Sequence, residues 1–284
     1  MTSNDWMTWG AGCIFAILMG IFLAKKQASR FRGKHQDGRF PPVTFTDYGD
    51  MRFLHLGSPA VQGSMKRSAP YEIHLEYVQR MMAWLLFTDL NNVSRLHAMQ
   101  LGLGAASLTK FCHHYLCTQT TAIELNPEVI TSCRQSFALP ADGPRLQVVL
   151  GDAAITIQDE KWHQKIDALH VDLYDQEAER PVLDSPAFYR DCYQLLTDNG
   201  CMTVNVFGKA SNVTQSVKHI SATFGKDAIW LFKPTHAGNT IVLALRQACQ
   251  IEPHALHAQA QLIEARWPLP ATKWLKVLAP VSST

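Results

Sequence analysis

The sequence predicts an α/β protein: a Rossmann-like parallel sheet with helices on both faces, preceded by a small antiparallel β module and an N-terminal transmembrane helix. Three observations carry this. From His97 onward, apolar runs of strand length alternate with helical patterns, which favours parallel strands joined by right-handed crossovers. Ahead of them lie short β-prone runs separated by turn residues. At the start, Trp6 to Ala24 carries no charge.

Taken in order, the first unit is residues 1–38, a hydrophobic anchor and basic linker. An uncharged stretch of about 19 residues approaches the roughly 20 that span a bilayer as a helix. Lys25, Lys26, Arg30, Arg32 and Lys34 follow it, and only Asp5 is charged before it. The positive-inside rule then leaves the rest of the chain cytoplasmic, anchored to the inner face of the cell membrane. A buried helix or a start codon chosen too far upstream is the alternative. Residues 39–90 form the β module plus a helix. Strands are expected at Val43–Thr46, Met51–Leu56 and Ala60–Gly63, broken by Tyr48-Gly49-Asp50 and Gly57-Ser58-Pro59. Ile73, Tyr77, Met81 and Trp84 recur at helical spacing, so Pro70 to Leu86 reads as a helix.

Residues 91–246 read as the nucleoside-binding domain. Leu101-Gly102-Leu103-Gly104-Ala105-Ala106-Ser107 leads from a strand into a helix, and the next strand ends in Glu124. Glycines there let backbone approach a ligand, and an acid about 20 residues on can bind ribose hydroxyls. Pro127 opens a helix to about Phe137. Further strands are Leu146–Leu150, Ile166–Val171, Cys201–Phe207, Ile229–Phe232 and Thr240–Leu245, with helices at Pro186–Leu196 and Asn212–Phe224. Ligand contacts in such a sheet gather past the strand ends, here Gly102–Ala106, Glu124, Asp152 and Asp172–Asp175. The tail, 247–284, holds one helix, Pro253–Arg266, and reads as packing.

Composition narrows the function. The chain has 284 residues, 47% hydrophobic and 18% charged, enough for a large core. A net charge of +2 gives no broad nucleic-acid surface. Seven scattered cysteines argue for a reducing compartment. Cys112-His113-His114 and Cys117 point in different directions on a helix, and no second ligand pair follows, so no metal is expected.

Over about Val43 to Arg246 the chain resembles the spermidine synthase (polyamine aminopropyltransferase) family. The resemblance runs through Asp47-Tyr48-Gly49 with Arg52, Val61-Gln62, Leu75-Glu76-Tyr77-Val78-Gln79, the glycine turn, Ile123 to Ile130, Gly151-Asp152-Ala153, Val171-Asp172-Leu173-Tyr174-Asp175 and Phe188-Tyr189. It implies an S-adenosylmethionine-binding sheet, with decarboxylated S-adenosylmethionine or S-adenosylmethionine itself as co-substrate and a polyamine such as putrescine as acceptor. It assigns donor binding to Gly102, Gly104, Ala105, Glu124, Asp152 and Ala153. Catalysis falls to Asp172 and Tyr77, and amine binding to Asp175, Gln62, His236 and Tyr174. It also implies a homodimer. On the residues alone, Asp152 could equally be a helix cap, Asp175 a loop carboxylate and Tyr77 a core residue.

Three positions depart from the family pattern. Ala105 replaces the aspartate of the family's donor loop, which holds the donor's amino end. Such a loss, ~1.5–3 kcal/mol, would weaken the donor roughly 10- to 150-fold. Gln176 follows the paired aspartates in place of proline, and His236 stands where the family has an aromatic hydroxyl in a Pro-Thr-Tyr segment. A methyltransferase using full S-adenosylmethionine on the same scaffold, or a non-catalytic nucleoside-binding relative, therefore stays open. Without an aspartate at 105, nothing there repels the extra carboxylate of the undecarboxylated donor.

Overall fold

The computed structural model describes residues 40–174 and 183–281. The expected membrane helix within 1–38, Asp175 and Gln176 lie outside the described residues. Among the described residues, no helix is long and apolar enough to cross a membrane.

The described residues begin with an antiparallel sheet of β1 (Val43–Tyr48), β2 (Met51–Leu56) and β3 (Gly63–Lys66). Tyr48 pairs with Met51 across Gly49-Asp50, a two-residue turn whose glycine has φ of +58°. The third strand starts where the sequence places its end. Gly63 enters β3 so close to the glycine turn that a Cβ on it would lie 2.6 Å from the Cβ of Ala105. A glycine read as a strand terminator is instead a point of close approach. The helix expected over 70–86 is also shorter: α1 (Glu76–Met81) passes into a 3-10 turn, Met82–Phe87. Met81 to Leu86 are all buried apolar residues, so this stretch has no polar face to hold an α-helical phase.

The main sheet contains β4 (His97–Leu101), β5 (Gln119–Glu124), β6 (Leu146–Leu150), β7 (Ile166–Val171), β8 (Leu196–Phe207), β9 (Ile229–Phe232), β10 (Asn239–Leu245) and β11 (Leu278–Pro280). Its order is β11-β9-β10-β8-β7-β4-β5-β6. Strands β6 to β8 of that order are parallel, and β8-β10-β9-β11 are antiparallel. Connections are α2 (Ser107–His114), α3 (Pro127–Ser136), α4 (Ala153–Thr156), α5 (Pro186–Leu195) and α6 (Ala210–Phe224). Pro127 stands at the first helical position of α3, as the sequence predicts, and Asn126 caps the helix by accepting from the Glu128 N–H, which the sequence reading did not single out.

From β4 the chain moves outward one way through β5 and β6, then returns to add β7 and β8 on the other side. Right-handed crossovers therefore put α2 and α3 on one face and α5 on the opposite face. The order reverses between β4 and β7, which opens a crevice at their carboxyl ends. The core beneath it is Met99, Leu101, Leu169, Val171, Val204 and Trp84.

The tail packs as expected through α7 (Pro253–Arg266) and α8 (Ala271–Trp274), with Ala260, Ile263 and Trp274 buried. It also adds β11 beside β9. That strand is only three residues long and ends in a proline, tolerated at a sheet edge and invisible to a periodicity argument.

Candidate active site

The glycine turn leaves β4 at the crevice. Gly102 has φ of +84°, and a Cβ there would lie 2.3 Å from the Asp172 carbonyl oxygen. The Asp172 N–H in turn donates to the Leu101 carbonyl at 3.0 Å. Only glycine lets the ends of β4 and β7 meet this closely. The rest of the turn is strapped from below. Gln100 accepts from the Thr109 backbone N–H at 3.1 Å and from its hydroxyl at 2.5 Å, and donates to the Leu103 carbonyl at 3.3 Å. The Cys133 thiol donates to the Gly104 carbonyl at 3.0 Å. Ala105 is buried against Gly63. Ala106 holds φ of +59° without being glycine, a strain of roughly 1–2 kcal/mol.

Glu124 ends β5, half-buried. One carboxylate oxygen accepts from the Leu103 N–H and the other from the Asn126 N–H, each at 2.8 Å. Burial raises its carboxyl above the ordinary value, and these backbone donors oppose the rise. Each oxygen keeps a lone pair for a further donor.

Asp172 follows β7 directly. Its Oδ1 accepts from Asn205 Nδ2 at 2.8 Å, and its Oδ2 from the Tyr77 hydroxyl at 3.3 Å. Burial pushes this carboxyl up, while Asn205 and Tyr77 pull it back; the net direction is upward. Burial, and then Asp172 itself, push the Tyr77 hydroxyl well above its ordinary range. Gln62, Gly63, Tyr77, Gln100, Ala105 and Asp172 line one small pocket, whose only charged side chain among the described residues is Asp172.

Of the other residues singled out in the sequence, Asp152 is exposed and caps α4, its Oδ1 accepting from the Ala154 N–H at 2.8 Å. Ala153, next to it, is buried. The Tyr174 hydroxyl donates to the Asn205 carbonyl at 2.7 Å and accepts from the Phe207 N–H at 2.6 Å. Its hydroxyl is thus taken up in bracing β8. His236 is exposed on the turn between β9 and β10. That turn reaches Asp172 through Asn239, whose Nδ2 donates to Asn205 Oδ1 at 3.0 Å.

Sequence reasoning missed Asn205 and Asn239. The available signal was a buried-type strand carrying an amide, Asn205 near the end of β8 and Asn239 as the first residue of β10. It also missed Leu125, Leu150 and Ile155, which are 51%, 57% and 71% exposed. Leu125 follows Glu124, and the register sets Leu150 beside it, so an apolar ledge flanks the acid.

A glycine turn, an acid one strand over and a half-buried carboxylate at the switch point place the chain among Rossmann-like α/β proteins with a ligand crevice at the strand ends. The family model described as the spermine/spermidine synthase domain matches residues 102–250. A polyamine aminopropyltransferase of Neisseria meningitidis serogroup A is 33% identical over 210 residues, 74% of this chain and 78% of that protein. One from Chromobacterium violaceum is 31% identical over 231 residues, 81% and 86% respectively. The chain belongs to the spermine/spermidine synthase family. Among solved structures, a probable spermidine synthase from Corynebacterium glutamicum has the same fold, with TM-score 0.65 and 16% identity over 77% of this chain and 83% of that one. Human methyltransferase-like protein 13 in complex with SAH shares it too, with TM-score 0.60 and 18% identity over 68% and 92%.

Proposed function

We propose that the chain is a polyamine aminopropyltransferase, moving an aminopropyl group from decarboxylated S-adenosylmethionine to a polyamine such as putrescine. The observation that carries this is Asp172: a carboxylate at the switch point, kept ionisable by Tyr77 and Asn205 while burial raises its proton affinity. An aliphatic amine titrates near ~10.4 and must be neutral to attack. The Asp172 carboxylate takes the proton as the amine nitrogen attacks the carbon next to sulfur. The N–C bond forms, the C–S bond breaks, and methylthioadenosine leaves as a neutral thioether. Tyr77 orients the carboxylate, and Gln62 and Asp175 bind the acceptor. Glu124 holds the ribose, and the ledge of Leu125 and Leu150 suits the face of a purine, with Asp152 and Ala153 at its rim.

Ala105 favours one second reading. It offers no charge to repel the carboxylate of full S-adenosylmethionine, so methyl transfer on the same scaffold is the competitor. Calorimetry with both donors and methylthioadenosine, followed by product analysis with putrescine, separates the two. Tighter binding of the decarboxylated donor with an aminopropylated product supports the first reading; tighter binding of the full donor with a methylated product replaces it.

We infer further that residues 1–38 tether the enzyme to the inner face of the cell membrane. A chain beginning at Gly33 should stay in the soluble fraction while the full chain sediments with membranes; equal partition of the two would retire the tether. The dimer implied by resemblance is read by sedimentation of that same shortened chain.

A further inference from the structure

A row of amides runs from the antiparallel half of the sheet to the reactive carboxylate. His170 pairs with Thr203 and Val171 with Val204, so the β7–β8 register sets Asn205 opposite Asp172. Asn239 opens β10 and pairs with Phe207, two residues beyond Asn205. Both amides lie inside, 4% and 8% exposed. Asn205 Nδ2 donates to Asp172 Oδ1 at 2.8 Å, and Asn205 Oδ1 accepts from Asn239 Nδ2 at 3.0 Å.

A carboxamide has one donating end and one accepting end, of nearly equal size. Turned by half a rotation, Asn205 would aim its oxygen at Asp172, which repels the ionised form and favours the protonated one. Asp172 cannot choose between these states, because either end of the amide finds a partner in one of its two forms. The choice has to come from the far side of Asn205, where Asn239 presents a donor. The backbone of Asn239 is anchored beside it: its N–H donates to Thr235 Oγ1 at 3.0 Å, and its carbonyl accepts from the Thr235 N–H at 2.7 Å.

We propose that Asn239 is a positioning residue for Asp172, fixing which end of the Asn205 amide faces the carboxylate. The proposal rests on the reading of Asp172 as proton acceptor, but it concerns the proton affinity of that carboxyl rather than the substrate. The titratable groups that face Asp172 are Tyr77 from α1 and Tyr174 from its own segment. The glycine turn contributes Gly102, and β8 and β10 contribute the two asparagines, none of which titrates. Burial raises both tyrosine hydroxyls, so they stay neutral where Asp172 changes charge.

The test is Asn239→Leu, similar in size and uncharged, read by the pH profile of kcat/KM and by 13C NMR titration of Asp172. The acid limb should move up by about one pH unit, with the donor KM within about twofold at pH above the limb. In an Asn205→Leu background the same change should add nothing, since Asn239 acts through Asn205. A uniform loss of kcat at all pH, an unmoved limb or an additive effect in the double variant would overturn the proposal. Should Asn239→Leu fail to fold, Asn239→Asp replaces it, with a shift in the same direction; failure of both to fold would assign Asn239 to stability and also overturn it. A wild-type enzyme without aminopropyl transfer would sink the proposed function, while the NMR titration still decides this one.

Discussion

Glu124 and Asp172 sit at the ends of β5 and β7, the two strands that flank β4. Both are carboxylates raised by burial, yet they are held by different means. Glu124 is gripped by two backbone N–H groups, donors that neither titrate nor rotate. Asp172 is gripped by side chains, Tyr77 and Asn205, which can follow a change of charge. A group that binds a neutral sugar profits from a fixed cradle. A group that must gain and lose a proton needs partners that tolerate both states. The contrast is the physical basis for the proposal that Glu124 serves binding and Asp172 the chemistry.

Four changes break or sharpen that contrast. Gly102→Ala strikes both sides at once, because its Cβ would meet the Asp172 carbonyl. A loss of roughly 2–4 kcal/mol in urea unfolding is expected, with activity reduced in whatever still folds. Glu124→Gln removes the charged acceptor proposed to hold the ribose; calorimetry should show donor affinity falling about 10- to 150-fold, with kcat much less affected. The third change concerns stability against pH. The folded carboxyl of Asp172 titrates above its ordinary ~3.9, so the native state holds the proton more tightly than the unfolded chain. Stability then falls as pH rises from the ordinary value through the folded one, and stays lower above it. Asp172→Asn should therefore melt higher than wild type at neutral pH, and the gain should fade below about pH 4 in a scanning-calorimetry series. Smallest is Ala106→Gly, which relieves a left-handed alanine; after the extra unfolded-state entropy of glycine, about 0.5 kcal/mol of stabilisation should remain in the same unfolding assay.

What the sequence made legible was local. The glycine turn, Glu124 at a strand end, the Pro127 helix start and Asp172 after an apolar run each depend on neighbours within one strand-turn-helix unit. Asn205 and Asn239 were not legible, because their meaning comes from the registers of β7 with β8 and β8 with β10. Gly63 misled for a related reason: its partner, Ala105, is distant in sequence. Tyr174 lies in the motif beside Asp172, yet its hydroxyl is spent on the β8 backbone, a contact that motif spacing does not encode.

The central claim, that Asp172 accepts the proton of the attacking amine, is tested most directly by methylthioadenosine release from decarboxylated S-adenosylmethionine with putrescine, in wild type and Asp172→Asn. Removing a general base typically costs about 10²–10⁴ in rate. The expected result is a kcat reduced on that scale, with donor Kd by calorimetry changed less than about tenfold. Turnover retained in Asp172→Asn would contradict the account and return Asp172 to a structural role beside Gly102.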